Sequence, residues 1–256
     1  MTEIPFLIIG GGPAGLSAAL AATQLGIATA IIDDGLMLGG QLTKQTHKFF
    51  GSQKERAGTR GFVIGQQMVA ELQKRANFSC YLNTTASGYY EDGVVAAVRA
   101  EREWLKFKPR CILVATGASE RMIPFPGNDL PGVYGAGAVQ TLMNVYGVAP
   151  GNRVLMVGAG NIGLIVSYQL MQAGVPVAAV VEAMDRIGGY WVHASKIRRL
   201  GIPILTRHTI LRALGDETVS GAVVARVDAN WNPIAGTETE VAVDTICLAV
   251  GLAPTL

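Results

Sequence analysis

The feature that most constrains this chain is an internal repeat. An apolar run at residues 7–9 enters Gly10-Gly11-Gly12-Pro13-Ala14-Gly15, and 148 residues further on a second run at 155–157 enters Gly158-Ala159-Gly160-Asn161-Ile162-Gly163. Leu16, Gln24 and Gly26 match Leu164, Gln172 and Gly174 at the same spacing. One extra residue then moves the spacing to 149, aligning Asp33 with Glu182 and Gly39-Gly40 with Gly188-Gly189. Residues 16–24 and 164–172 are long enough, and rich enough in Ala, Leu and Met, to be helices, whereas 29–32 and 177–181 suit buried parallel strands. Each half therefore reads strand, glycine turn, helix, strand ending in an acid, then a second pair of glycines, which is a βαβ unit.

Both halves also close alike. Tyr89-Tyr90, the turn Glu91-Asp92-Gly93 and residues 94–98 have the spacing of an antiparallel meander, as do 211–214, Gly215-Asp216-Glu217 and 219–227. The meanders lead into 112–115 followed by Thr116-Gly117, and into 246–250 followed by Gly251. A turn-rich stretch, Pro124-Phe125-Pro126-Gly127-Asn128-Asp129-Leu130-Pro131, joins the halves. The expectation is an α/β chain of two Rossmann-like dinucleotide-binding domains, each a three-layer ββα sandwich with an antiparallel meander. Their bounds are read as 1–120 and 121–250, with 251–256 beginning a return to the first.

One G-x-G-x-x-G in a chain with 32 glycines says little, but two copies between strand and helix, each with an acid about 20 residues on, meet the context of a dinucleotide fingerprint. Gly10 and Gly158 permit the tight turn. Gly12 and Gly160 remove the Cβ that would block a pyrophosphate, and Gly15 and Gly163 allow close helix packing. Unpaired amides at the helix start favour an anion there without a lysine. Asp33 and Glu182 are placed to accept hydrogen bonds from a ribose 2′-hydroxyl, with Asp34 the alternative to Asp33. A carboxylate at that point repels a 2′-phosphate, and only Arg186 follows Glu182 closely, so NAD is expected over NADP.

Composition excludes several other classes. Lys and Arg number 21 against 19 Asp and Glu, and a net charge of +2 provides no field for a nucleic acid or an anionic membrane. Apolar runs are far shorter than the roughly 20 residues of a membrane span, and no secretory leader precedes the first strand, so a cytoplasmic location is expected. Cys80, Cys111 and Cys247 form no C-x-x-C and are read as core packing. His193, with Lys196, Arg198 and Arg199 nearby, is read as one face of a surface helix over 190–200, and His208 as a strand start. His47 and Lys48 are read as members of a solvated loop anchored by Phe49-Phe50. The three histidines lack metal-ligand spacing, and no metal is expected. No G-x-S-x-G elbow supports a serine nucleophile.

With these motifs in view, the chain resembles the two-dinucleotide-binding-domain flavoproteins, the FAD- and NAD(P)-dependent pyridine nucleotide oxidoreductases that include thioredoxin reductase. The resemblance implies that Gly10, Gly12, Pro13, Ala14 and Gly15 hold the FAD pyrophosphate and Asp33 its ribose. It implies that Gly40, Gln41 and Leu42 run near the flavin and that Thr116 and Gly117 lie by the cofactor at the crossover. Gly158, Gly160, Asn161, Ile162, Gly163 and Glu182 resemble the inserted NAD half. Two departures stand out. Where thioredoxin reductase has its redox C-x-x-C, this chain has Tyr134-Gly135-Ala136-Gly137-Ala138, so it is not expected to reduce thioredoxin. The run through Glu120-Arg121, Pro124-Phe125-Pro126-Gly127 and Leu130-Pro131-Gly132-Val133 is more similar to the FAD- and NAD-binding subunits of sarcosine oxidase and opine oxidase. The second departure is that the sequence stops at Leu256, so the closing FAD segment is expected to be absent. That leaves a fragment, completion by another chain, or weakened flavin binding as alternatives.

The function expected is hydride or electron transfer between NAD(H), FAD and a small amine, an imino acid or an electron-accepting partner, in a homodimer or hetero-oligomer. No catalytic residue is assigned, because the two cofactors supply the chemistry. The rival reading is a non-catalytic dinucleotide-binding scaffold.

Overall fold

In a computed structural model, residues 1–54 and 56–255 are described, so Leu256 at the end of the expected return lies outside the described residues. The chain forms two compact units, one of 1–118 with 254–256 and one of 119–253.

Unit 1 begins with β1 (Thr2–Ile9), α1 (Pro13–Gln24) and β2 (Thr29–Ile32), followed by a 3-10 turn at Gly40–Lys44 and α2 (Gly61–Gln73). It continues with β3 (Phe78–Tyr81), β4 (Thr84–Tyr89), β5 (Val95–Arg99) and β6 (Glu103–Val114), giving one six-stranded sheet ordered β3-β2-β1-β6-β5-β4. The alternation of side chains builds two cores. Ile8 and Ile31 face α1 and α2 with Leu16, Leu42, Met68 and Leu72, while Leu7, Ala30 and Ile32 face Val95, Ala97 and Phe107 of the meander. Fully burying each of the larger of these side chains, Val, Leu, Ile, Met or Phe, contributes about 1.5–3 kcal/mol.

The sequence reading treated the end of the meander and the closing parallel strand as separate pieces, whereas β6 is both. Its residues 103–107 pair antiparallel with β5, and from Phe107 to Val114 it pairs parallel with β1. Pro109 sits inside this strand, opposite Ile4. A proline is tolerated there because β5 has ended and the strand has only β1 beside it.

Unit 2 is entered by β7 (Ala118–Glu120) and left by β16 (Leu252–Pro254), and these two connecting strands pair with each other. Between them come β8 (Val133–Gly135), α3 (Ala136–Asn144), β9 (Val154–Val157), α4 (Asn161–Gln172), β10 (Val177–Glu182) and α5 (Trp191–Arg199). They are followed by β11 (Ile204–Thr206), β12 (His208–Leu214), β13 (Gly221–Arg226), β14 (Thr239–Val241) and β15 (Thr245–Leu248). The parallel sheet runs β11-β10-β9-β15-β8, and β12-β13-β14 is a separate antiparallel sheet. Met156, Val180 and Cys247 pack under the helices, and Leu155, Val181, Ile246 and Leu248 pack under the three-stranded sheet. This is the three-layer ββα arrangement, with β14 a strand that the sequence reading lacks.

Several local expectations need correction. His193 is 6% exposed, because His193, Ala194 and Ile197 form the inward stripe of α5, leaving Lys196, Arg198 and Arg199 to the solvent side. Burial lowers the His193 pKa, and the charge of Lys196 lowers it further. Cys80 and Cys111 are exposed, and only Cys247 is core. The first lies on the edge strand β3 and the second on the stretch of β6 that has lost β5. Phe49 packs on the core as expected, but Phe50 is 54% exposed. His208 does begin a strand.

Candidate functional site

Each unit carries the same device at the carboxyl ends of its parallel strands, the edge where α/β sheets bind ligands. In unit 1 the amide of Gly10 donates to Ile32 O at 2.9 Å, and in unit 2 Gly158 donates to Val181 O at 2.7 Å. Both glycines have φ +106°, a left-handed value closed to most residues, and a Cβ on either would strike the neighbouring strand's backbone at Ala115 or Ala249. The turn is thus wedged between two strands and aims the chain into the helix.

The acid at the end of the second strand fastens that turn. One carboxylate oxygen of Asp33 accepts from the Gly11 amide at 2.5 Å and the other from Gly35 at 2.8 Å. Glu182 does the same with Ala159 at 2.8 Å and Met184 at 2.9 Å. A carboxylate has about four lone-pair positions, so each acid retains acceptors for another donor. Asp34 is exposed and makes no such bridge.

The second glycine pair closes the device from above. Gly39 donates to Gly11 O at 2.9 Å, and a Cβ on Gly40 would lie 2.8 Å from the Cα of Gly12. In unit 2 it is Gly189, the second glycine of its pair, that donates to Ala159 O at 2.9 Å and lies against Gly160. The sequence alignment of the two pairs is therefore one residue out of step with this contact. Gly12 and Gly160 are the exceptions to this crowding: a Cβ there would meet nothing within 4 Å. Glycine is not needed at either place for packing, and the space over it is what a pyrophosphate passing close to the backbone requires. Neither α1 nor α4 has a side-chain cap or an acid in its first turn, so the amides behind that space are available to an anion.

The other expected residues fall around these turns. Pro13 and Ala14 are exposed at the start of α1, and Asn161 and Ile162 begin α4, where Asn161 Oδ1 accepts from the Tyr190 amide at 2.8 Å. Gln41 is exposed on the 3-10 turn, but Leu42 is buried in the core beneath it. Thr116 and Gly117 are exposed just beyond β6; the Thr116 hydroxyl donates to Thr255 O, and Thr255 N donates to Gly117 O at 3.1 Å.

Sequence reasoning missed Glu120. Its carboxylate accepts from the amides of Gly137 at 2.5 Å and Ala138 at 3.2 Å, capping α3 from a distance. It also fills the space where a Cβ on Gly135 would stand. The helix start at which a redox dithiol is absent is thus occupied by an acid of the chain itself. The nearest thiol, Cys247, is fully buried; burial pushes its pKa far up and the charge of Glu120 adds to the shift, so it is inert. Among the described residues no group of three or more His, Cys, Asp or Glu could hold a metal, and no helix is long and apolar enough to cross a membrane.

Two glycine cradles, each with an acid fastening it, are the paired turns of a two-dinucleotide-binding-domain fold. The chain belongs to the pyridine nucleotide-disulphide oxidoreductase family, whose pattern matches residues 5–256. It is 31% identical over 262 residues to the sarcosine oxidase subunit alpha of Rhizobium meliloti strain 1021, covering 97% of this chain but only 24% of that one. Among solved structures, L-proline dehydrogenase from P. horikoshii matches 99% of this chain and 43% of its own, with a TM-score of 0.69 and 26% identity. T. acidophilum thioredoxin reductase matches 99% of this chain and 79% of its own, with a TM-score of 0.78 at 18% identity, a likeness of fold. The family implies FAD and a nicotinamide cofactor, and the open space over Gly12 and Gly160 fits two dinucleotides.

Proposed function

We propose that unit 1 holds FAD and unit 2 holds NAD, and that the chain moves electrons between NAD(H), the flavin and a small amine, an imino acid or a partner subunit. The observation that carries this is the pair of matching cradles, left open over Gly12 and Gly160 and built of free amides with a fastened acid. The names of two similar proteins, a sarcosine oxidase subunit and an L-proline dehydrogenase, support the amine or imino-acid class.

In this reading the amides of Ala14 and Gly15, behind Gly10 and Gly12, hold one pyrophosphate, with Pro13 setting the helix start without offering a donor. Asp33 takes the ribose hydroxyls. Gly40 and Gln41 border the flavin, Leu42 holds their turn from the core below, and Thr116 and Gly117 stand beside the cofactor. In unit 2, Gly158, Gly160 and Gly163 with the amides of Asn161 and Ile162 hold the second pyrophosphate, and Glu182 the adenosine ribose. The acid disfavours a 2′-phosphate, hence NAD over NADP. When bound, the cofactors supply hydride transfer between nicotinamide and flavin, and the protein supplies alignment. Glu120 takes the place at α3 where a dithiol would be served, so electrons leave through the flavin and not through a disulfide.

The test is a visible spectrum of the purified chain, with added FAD, followed anaerobically on adding NADH and then NADPH. A flavin band that NADH bleaches at a catalytic rate, and NADPH more slowly, is expected. NADH binding with no flavin under any reconstitution would overturn the reading in favour of a non-catalytic scaffold.

A further inference from the structure

Unit 2 departs from unit 1 at two positions beside its acid. Asn83, between β3 and β4, has φ +49° and donates its amide to the carbonyl of Gly35 at 2.9 Å. Arg207, between β11 and β12, has φ +55° and donates to the carbonyl of Met184 at 2.9 Å. Their own carbonyls accept from Ala100 and Val227, each at 2.8 Å. Gly35 and Met184 are the residues whose amides bind Asp33 and Glu182. Asn83 and Arg207 therefore occupy the same structural position in the two units.

Asparagine tolerates this left-handed backbone, and arginine adopts it at a cost. A strained residue on an exposed turn points to a use for its side chain. The Arg207 guanidinium lies 3.6 Å from the Asp185 carboxylate, with both side chains about half exposed. In unit 1 the residue next after the Asp33-bound glycine is Leu36, which is apolar and 78% exposed. Of these two matched pairs of positions, only that of the unit read as the NAD site is charged, with Asp185 three residues beyond the acid read as facing the ribose.

We propose that Asp185 and Arg207 set which nicotinamide dinucleotide unit 2 accepts. This rests on the reading of unit 2 as a nicotinamide dinucleotide site. Arg207 is the cation able to meet a 2′-phosphate, and Asp185 holds it neutralised, so that Glu182 and a 2′-hydroxyl prevail. An exposed pair is weak enough to be exchanged for a different anion once the competing carboxylate is gone.

The experiment measures binding of NADH, 5′-ADP and 2′,5′-ADP to the full chain by calorimetry at low salt, with unit 1 saturated with FAD. Asp185→Asn is expected to raise the preference for 2′,5′-ADP over 5′-ADP by about fivefold, an advantage that shrinks as salt screens it. Adding Arg207→Asn, the residue of unit 1, is expected to return the ratio to that of the unaltered chain. An unchanged ratio in Asp185→Asn overturns the inference while leaving the NAD reading standing. A gain that survives Arg207→Asn also overturns it, because the neighbouring Arg186 would then be the cation. Failure of the unaltered chain to bind NADH overturns the reading beneath it.

Discussion

Alanine at Gly160 and alanine at Gly163 are expected to do opposite things, although the positions are three residues apart. Gly160 has φ −71° and ψ 177°, which any residue adopts, and its added Cβ meets nothing within 4 Å. Alanine is the poorer helix cap by up to about 1 kcal/mol, and a less flexible unfolded chain returns about 0.4–1 kcal/mol. Stability should barely change. A pyrophosphate lying over Gly160 would meet the new methyl, and overpacking of about 1–3 kcal/mol weakens NADH binding roughly 5- to 150-fold. At Gly163 the Cβ would fall well inside 3.0 Å of the Gly158 carbonyl oxygen, with the Gly158 carbonyl carbon at 3.1 Å and the Ala249 Cβ at 3.3 Å. Alanine gains about 1 kcal/mol as a helix former, but displacing a wedged backbone carbonyl costs about 3 kcal/mol, leaving a net loss of about 2 kcal/mol. At about 2–4 °C per kcal/mol, Gly163→Ala should melt roughly 4–8 °C lower. Thermal melts paired with NADH fluorescence titrations test both. NADH bound by Gly160→Ala as tightly as by the unaltered chain, or an unchanged melting point in Gly163→Ala, would refute the assignment of cradle and contact.

Other outcomes follow from single groups. Glu120→Ala should cost about 1–2 kcal/mol by stripping α3 of its acid cap, seen as a lower melting point that Glu120→Gln partly restores. Burial raises the Asp244 pKa, but hydrogen bonds from the amides of Arg153 and Asn152, with side-chain bonds from Asn152 and Thr245, outweigh it and hold the carboxyl below its ordinary value. Its contribution is therefore complete above the unfolded pKa near 3.8 and is lost as pH falls through the lower folded value. The stability gap between Asp244→Asn and the unaltered chain should be open at pH 7 and close in strong acid, as denaturant titrations would show. A thiol reagent should label Cys80 and Cys111 in the folded protein and reach Cys247 only after unfolding, with Cys80 slow because neighbouring protein partly desolvates its accessible thiol and raises its pKa; mass spectrometry before and after denaturation reads this directly.

The parts of the fold legible in the sequence are those dictated by backbone approach. Gly10, Gly15, Gly158 and Gly163 are required by contacts with carbonyls, so the glycine pattern itself marks the turns, and the expected bounds of β2 match its observed ends because 29–32 is buried on both faces. The less legible parts depend on partners distant in sequence. Helix α2 buries Gly61, Ile64, Gly65, Met68 and Leu72, a helical spacing present in the sequence, but two of the five are glycines and no capping side chain marks its start. The unity of β6 is not legible in the sequence because Pro109 stands inside it, tolerated only where β5 has ended beside it. Glu120 could not be found as a cap because the amides it serves lie 17 and 18 residues away. The inward face of α5 is in principle readable from the spacing of His193, Ala194 and Ile197, but the charges of Lys196, Arg198 and Arg199 around them mask it.

The double allegiance of β6 bears on how each unit opens within itself. In unit 1 one strand is hydrogen-bonded into the parallel sheet at one end and into the meander at the other, so pulling the meander away removes a strand from the nucleotide-binding sheet. In unit 2 the three-stranded sheet has its own ladder and shares no strand with the parallel one. Amide hydrogen exchange should therefore show meander and parallel strands of unit 1 opening as one cooperative block. In unit 2, β12, β13 and β14 should exchange at a lower free energy than β9 and β15. The same repeat has thus been built once as a single mechanical piece and once as two that can part.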